Sequence, residues 1–125
     1  DRIEFPGGVP KSDVPKWMNS GDIFINTSNV DNTPVSVLEA MACGLIVVST
    51  NVGGIPYLLE DQINALLLPP QEPLAMAAAI QRVLTEPDLA KSLLQNAHKV
   101  VKKFDWPVIF PDQEKIFFEA IFPNN

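Results

Sequence analysis

The run Leu-Ile-Val-Val-Ser-Thr at positions 45–50 constrains the fold most, because it is apolar and β-branched without alternating polar residues. A strand with one face in water alternates apolar and polar residues, whereas a parallel strand covered by helices on both faces is continuously apolar. Further candidate strands lie at 2–5, 22–26 and 64–68, with helical segments between them. This alternation predicts an α/β fold with a doubly wound, Rossmann-like parallel sheet and flanking helices.

Local sequence features predict where the helices begin and end. Ser12 can cap a short helix that runs to Asn19, and Pro34 suits the first turn of a helix that Gly44 ends. A brief helix is predicted at 56–60. Two amphipathic helices and a last helix at 107–121 follow the final strand. The 125 residues suffice for one domain with one hydrophobic core, so a single domain over 1–125 is predicted.

Charge and cysteine content limit the partners. A formal net charge of −6 repels polyanions, so nucleic acid is not an expected partner. The single cysteine excludes an internal disulfide, and a cytoplasmic location is expected. No His/Cys cluster has metal-ligand spacing, so neither a metal nor a cofactor is expected. A basic stripe (Lys91, Lys99, Lys102 and Lys103) is most simply a solvated face, but it leaves open a peripheral association with a membrane surface.

The loop after the second strand candidate carries the clearest functional pattern. Asp31 lies just before the helix that starts near Pro34, and Glu39 lies inside that helix. Free amides at a helix N-terminus suit a phosphate or a hydroxyl, and each carboxylate can accept hydrogen bonds from sugar hydroxyls. Structural interpretations stay open: Ser36-x-x-Glu39 fits a capping box, and Asp31 fits an ordinary turn. The Gly53-Gly54 pair could likewise let the backbone approach a ligand or form a plain tight turn.

Residues 31–54 together resemble the C-terminal domain of group 1 glycosyltransferases, family 4 of the retaining GT-B enzymes. That family's pattern is E-G-x-P-x-x-x-x-E-A-M-A-x-G-x-P-V-V-x-T-x-x-G-G, and the sequence reads DNTPVSVLEAMACGLIVVSTNVGG. The similarity extends before and after this run over nearly the whole chain. Asp31, Asn32 and Ile46 depart from the pattern, which leaves the identity of the donor open.

The resemblance implies a role for each matched position. Glu39 would hold the ribose hydroxyls of a nucleoside-diphosphate sugar, a UDP- or GDP-sugar, and Asp31 would face the donor sugar. The other donor-binding positions would be those of the turn, the helix start and the glycine pair: Asn32, Thr33, Pro34, Val35, Ser36, Gly53 and Gly54. The implied reaction is glycosyl transfer with retained anomeric configuration.

The resemblance also implies that the chain holds only part of a C-terminal GT-B half. Two strand–helix units, with the Arg and Lys that neutralise the diphosphate, would precede residues 2–5, and a separate N-terminal domain would bind the acceptor. Three arrangements follow: a fragment inactive by itself, residues 2–5 moving beside 22–26, or self-association through exposed strand edges. The alternative function is a non-catalytic Rossmann-like nucleotide-binding or interaction module.

Overall fold

The computed structural model describes residues 2–121 as one sheet with helices around it. Its strands are β1 (Ile23–Asn26), β2 (Ile46–Thr50) and β3 (Leu66–Leu68). Its α-helices are α1 (Val14–Met18), α2 (Val35–Ala42), α3 (Ile55–Leu58), α4 (Pro73–Thr85), α5 (Pro87–Val101) and α6 (Trp106–Ile121). Short 3-10 helices span Lys11–Asp13 and Lys102–Phe104.

The sheet is parallel and has the order β1-β2-β3. Val47 lies beside Phe24 of β1, and Val48 lies beside Leu66 of β3. All five residues of β2 are buried, as the continuous apolar run predicts for a central parallel strand. The predicted α/β, Rossmann-like fold is therefore confirmed.

Helices cover both faces of the sheet. Val47 packs in a cluster with Val37 and Met41 of α2. Its neighbour Val48 points to the opposite face and packs with Met76 of α4. Successive strand residues face opposite sides, so β2 supplies the centre of both hydrophobic clusters. Helix α5 contributes to both, through Ala97 on one side and Leu93 on the other.

Helix α2 ends in the hydrogen-bond pattern of a Schellman motif. The Leu45 amide donates to the Ala40 carbonyl at 3.0 Å, and the Gly44 amide donates to the Met41 carbonyl at 3.2 Å. Gly44 has φ +78°, which costs a glycine little. The predicted stop of this helix at Gly44 is confirmed, and β2 begins at Ile46.

The predicted strand at 2–5 is wrong. These residues are exposed and form no strand, with Phe5 90% exposed. A strand needs a neighbour for its backbone groups, and among the described residues β1 pairs only with β2. Residues 2–5 therefore do not move beside 22–26, while self-association through strand edges stays a prediction. Ser12 does not cap a helix either, because a 3-10 turn occupies 11–13.

Helix α6 follows the sheet domain and buries none of its described residues. Large apolar side chains such as Trp106, Phe110 and Phe117 are more than half exposed along it. The predicted last helix is thus present at almost the predicted position. None of the helices among residues 2–121 combines the length and the apolar character needed to cross a bilayer.

Candidate functional site

The carboxyl ends of the three strands lie along one edge of the sheet, because the strands are parallel. The loops at 27–34, 51–54 and 69–72 leave this edge toward α2, α3 and α4. Ligands in open α/β folds bind in the crevice outside such strand ends. The predicted donor-binding residues are distributed over the first two loops and the start of α2.

Asp31 is half-buried in the first loop, and the chain itself holds its carboxylate. The Asn32 amide donates to one carboxylate oxygen at 2.9 Å. The side-chain amide of Asn26 donates to the other at 3.5 Å. Each carboxylate oxygen can accept a second hydrogen bond, so Asp31 is positioned yet can still accept a bond from a hydroxyl.

Gly53 and Gly54 pack directly against the backbone of this loop. A Cβ atom at Gly53 would overlap the Asp31 carbonyl oxygen, and one at Gly54 would overlap the Asn32 carbonyl oxygen. The Gly54 amide donates to the Asp31 carbonyl at 3.2 Å. Only glycine lets the two loops approach so closely, and the pair therefore fixes where Asp31 lies.

The first amides of α2 remain uncapped by side chains. Pro34 is the N-cap residue, and no side chain caps the helix. The first backbone bond runs from the Val37 amide to the Pro34 carbonyl at 3.1 Å. The Val35 and Ser36 amides come earlier, where no carbonyl of the helix can reach them. The alternative capping box is wrong, because Ser36 lies two positions inside the helix start.

Glu39 lies apart from Asp31, on the exposed side of α2. It lies five positions after Pro34, about 7.5 Å along the helix axis. It lines an open depression of about 340 Å³ together with Lys102 and Phe104 from the turn after α5. The structure thus gathers Asp31, Asn32 and the glycine pair at one point and sets Glu39 beyond the helix start.

Sequence reasoning missed two residues that support Asp31. Asn26 ends β1, and its side-chain amide donates to both Asp31 and, at 3.3 Å, the Ser49 hydroxyl. Ser49 is fully buried in β2 and donates to the Thr50 carbonyl at 3.1 Å. Two signs were available in the sequence: Asn26 is a polar residue at the end of an apolar strand, and Ser49 is a polar residue inside a buried one.

The arrangement offers carboxylates and backbone amides to a ligand. Within residues 2–121, no three His, Cys, Asp or Glu side chains are grouped so that they could hold a metal ion. Carboxylates bind neighbouring hydroxyls, and helix-start amides bind phosphate or hydroxyl oxygens. Such a site suits a ligand that carries both groups.

Comparison with known proteins identifies the family of this site. The family model described as "Glycosyl transferases group 1" matches residues 1–86. The chain belongs to the group 1 glycosyltransferases. The match includes both carboxylates, the start of α2 and the glycine pair, so the resemblance found in the sequence is confirmed.

A curated glycosyltransferase relative shows how much of the protein this chain represents. This relative, a phosphatidylinositol N-acetylglucosaminyltransferase component from Arabidopsis thaliana, is 33% identical over 126 residues. That alignment covers 100% of this chain but 27% of the relative. The chain therefore spans about a quarter of the length of the curated relatives it matches.

Solved glycosyltransferase structures share the fold. Sucrose-phosphate synthase from Thermosynechococcus elongatus superimposes with a TM-score of 0.89 at 27% identity, covering 98% of this chain and 31% of that one. The Anabaena protein HepE, solved in complex with UDP and glucose, gives a TM-score of 0.83 at 26% identity, over 96% of this chain and 32% of HepE. The chain has the Rossmann-like architecture of these GT-B neighbours.

Proposed function

We propose that the protein to which this chain belongs transfers a glycosyl group from a UDP- or GDP-sugar to an acceptor, with retained anomeric configuration. Residues 1–125 are then part of its C-terminal, nucleotide-sugar-binding domain. The observation that carries the proposal is the junction of the Asp31 loop, the uncapped start of α2 and the Gly53-Gly54 turn at the carboxyl edge of the sheet. HepE, whose fold this chain shares, is solved with UDP and with glucose.

In this proposal Asp31 and Glu39 bind different parts of the donor, the transferred sugar and the ribose. Asp31 accepts hydrogen bonds from hydroxyls of the transferred sugar, with the Asn26 amide holding its orientation at 3.5 Å. Glu39, exposed on α2, accepts from the two ribose hydroxyls. A carboxylate with two adjacent hydroxyls forms two charge-assisted hydrogen bonds, which are stronger than neutral ones.

The start of α2 binds the diphosphate, which lies between the sugar and the ribose of the donor. The Val35 and Ser36 amides and the positive end of the helix dipole favour the negative diphosphate. Positive charge develops on the sugar as the bond to the phosphate breaks, and the nearby Asp31 carboxylate stabilises that charge. The Arg and Lys that the family uses against the diphosphate belong, by resemblance, to a segment before residue 2.

Turnover of labelled donors tests the proposal. The protein that includes this chain and the upstream segment of its relatives is incubated with UDP- and GDP-sugars, with water as the acceptor of the glycosyl group, and release of the nucleoside diphosphate is followed. We expect release from one of the two classes, and NMR of the product should show the donor's anomeric configuration. Release from neither class would refute the proposed activity, and an inverted product would refute retention alone.

A further inference from the structure

A second cavity opens at the carboxyl edge of the sheet, on the α4 side of the Asp31 loop. Its volume is about 320 Å³, and within the described part of the chain its lining includes neither Asp31 nor Glu39. Ligand pockets in proteins span roughly 300–1,000 Å³, so this one has room for a small ligand such as one sugar ring. The last residues of β2 and β3, Thr50 and Leu68, contribute to it, and the loop after β1 contributes Asn29.

The cavity floor is held by the sheet and by backbone contacts. The Thr50 hydroxyl donates to the Ser28 carbonyl at 2.6 Å, which fixes the first loop to the end of β2. The Asn51 amide donates to the Leu68 carbonyl at 2.7 Å and joins the ends of β2 and β3. Leu68 and Met76 are buried beneath the opening. The floor of the cavity is therefore a fixed part of the fold.

The lining combines amides, one carboxylate and apolar surface. Asn29 and Gln71 are exposed at its rim, and each amide can both donate and accept hydrogen bonds. Glu72 adds a carboxylate that only accepts. Leu68 and Met76 supply an apolar floor. Sugars present this same combination, with hydroxyls around the ring edge and C–H groups on its faces.

The charge of the cavity lining favours a neutral ligand over a phosphate. No Lys, Arg or His lines the cavity within residues 2–121, and the one charged side chain is acidic. An anionic ligand would meet the Glu72 carboxylate without a compensating cation. This cavity thus differs in chemistry from the start of α2, where free amides favour negative charge.

We propose that this cavity is a carbohydrate site for one neutral monosaccharide unit, separate from the nucleotide-sugar site. Asn29 and Gln71 bind ring hydroxyls, Glu72 accepts a hydrogen bond from another, and the apolar floor packs against the C–H face of the sugar. The site goes beyond the proposed transfer reaction and does not rely on Asp31 or Glu39.

NMR titration of the isotope-labelled chain tests the proposal with two probes, each of which contains a glucose ring. Methyl α-D-glucopyranoside is neutral, and glucose 6-phosphate is anionic. We expect the neutral glycoside to shift the backbone amides of Gln71 and Glu72 and the phosphate ester to shift them less. The difference between the two probes should shrink in Glu72→Gln. Absence of shifts at these amides with the neutral glycoside, or equal shifts with the ester, would overturn the proposal.

A matched pair of glutamines provides the control. Gln71 and Gln62 have nearly the same left-handed backbone, with φ +62° and +60°, but Gln62 lies outside the cavity. Glycine at either position relieves the same strain, so Gln71→Gly and Gln62→Gly have comparable effects on the backbone. We expect Gln71→Gly to weaken glycoside binding about fivefold, the loss of roughly one hydrogen bond, and Gln62→Gly to leave it unchanged. Equal affinity in the two variants would exclude Gln71 from the site.

UDP titrated into the isotope-labelled protein that carries this chain and the upstream segment of its relatives reports on the donor site independently. Its shifts should fall at Val35 and Ser36, whereas glycoside shifts should fall at Gln71 and Glu72. If UDP causes no shifts while the glycoside does, the assignment of the donor site fails and the carbohydrate site stands. The opposite result overturns only the carbohydrate site.

Discussion

Replacing Gly54 with alanine tests whether close backbone contact holds the Asp31 loop. Gly54 has φ −84°, which alanine adopts freely, so backbone strain adds nothing to the cost. The added Cβ would overlap the Asn32 carbonyl oxygen and lie 3.1 Å from the Thr33 hydroxyl. Because the overlap is with main-chain atoms, no rotation of a side chain can relieve it, and the loop must move.

The size of the effect follows from two contributions. Inserting a methyl group into a packed contact costs about 1–3 kcal/mol. Moving the loop also breaks the 3.2 Å hydrogen bond from the Gly54 amide to the Asp31 carbonyl. Such a bond contributes about 0.5–1.5 kcal/mol. We therefore expect Gly54→Ala to lower the free energy of unfolding by about 2–4 kcal/mol, a large part of the ~5–15 kcal/mol of a typical domain.

Urea denaturation followed by circular dichroism measures this change. Gly21→Ala is the matched control, because its Cβ would come no closer than 3.8 Å to any neighbouring atom. The control should stay within about 0.5 kcal/mol of the parent chain. If Gly54→Ala were as stable as Gly21→Ala, the packing of the two loops described here would be incorrect.

Three further substitutions probe the core, the site and a surface ion pair. Leu93 is fully buried, so Leu93→Ala should lower the free energy of unfolding, measured by urea denaturation, by about 2–5 kcal/mol. Leu84 is 70% exposed, so Leu84→Ala should lower it little. Equal losses in the two variants would contradict the packing of α5. Asn26→Ala removes the side-chain amide that orients the Asp31 carboxylate. Calorimetry should therefore show about fivefold weaker binding of the nucleotide-sugar and unchanged binding of the nucleotide alone. An equal loss of affinity for both ligands would contradict the orienting role of Asn26. The hydrogen bond and charge of Glu86 raise the pKa of the exposed Arg82, so the contribution of the pair to stability is present at neutral pH and is lost as the pH rises through that raised pKa. Because both side chains are exposed to solvent, this contribution is too small to resolve, and urea denaturation of Glu86→Gln near neutral pH should match that of the parent chain. A clear loss of stability in this variant would contradict the reasoning.

The sheet and its helices could be predicted because their determinants are local. The run at 45–50 is buried on both faces, and Gly44 ends α2 as predicted. Residues 2–5 have a strand-like pattern as well, but a strand also needs a partner, which no local pattern supplies. The error at this segment therefore reflects the need for long-range pairing.

The sequence pointed to the members of the candidate site but not to their geometry. The sequence pattern identified Asp31, Glu39 and the glycine pair. It did not reveal that the glycines pack on the backbone of the Asp31 loop, because that contact joins residues about twenty positions apart in the chain. Asn26 was missed for the same reason, since its importance comes from where β1 ends relative to β2.

Nucleotide affinity of Glu39→Ala tests the central claim most directly. The measurement is calorimetry with UDP and GDP on the protein that carries this chain and the upstream segment of its relatives. Glu60→Ala is the control, because Glu60 is also an exposed glutamate but lies outside α2, in the segment after α3. Loss of two charge-assisted hydrogen bonds to ribose should weaken binding roughly 100-fold for Glu39→Ala and leave Glu60→Ala unchanged. Equal affinity in the two variants would contradict a nucleotide-sugar site at the start of α2.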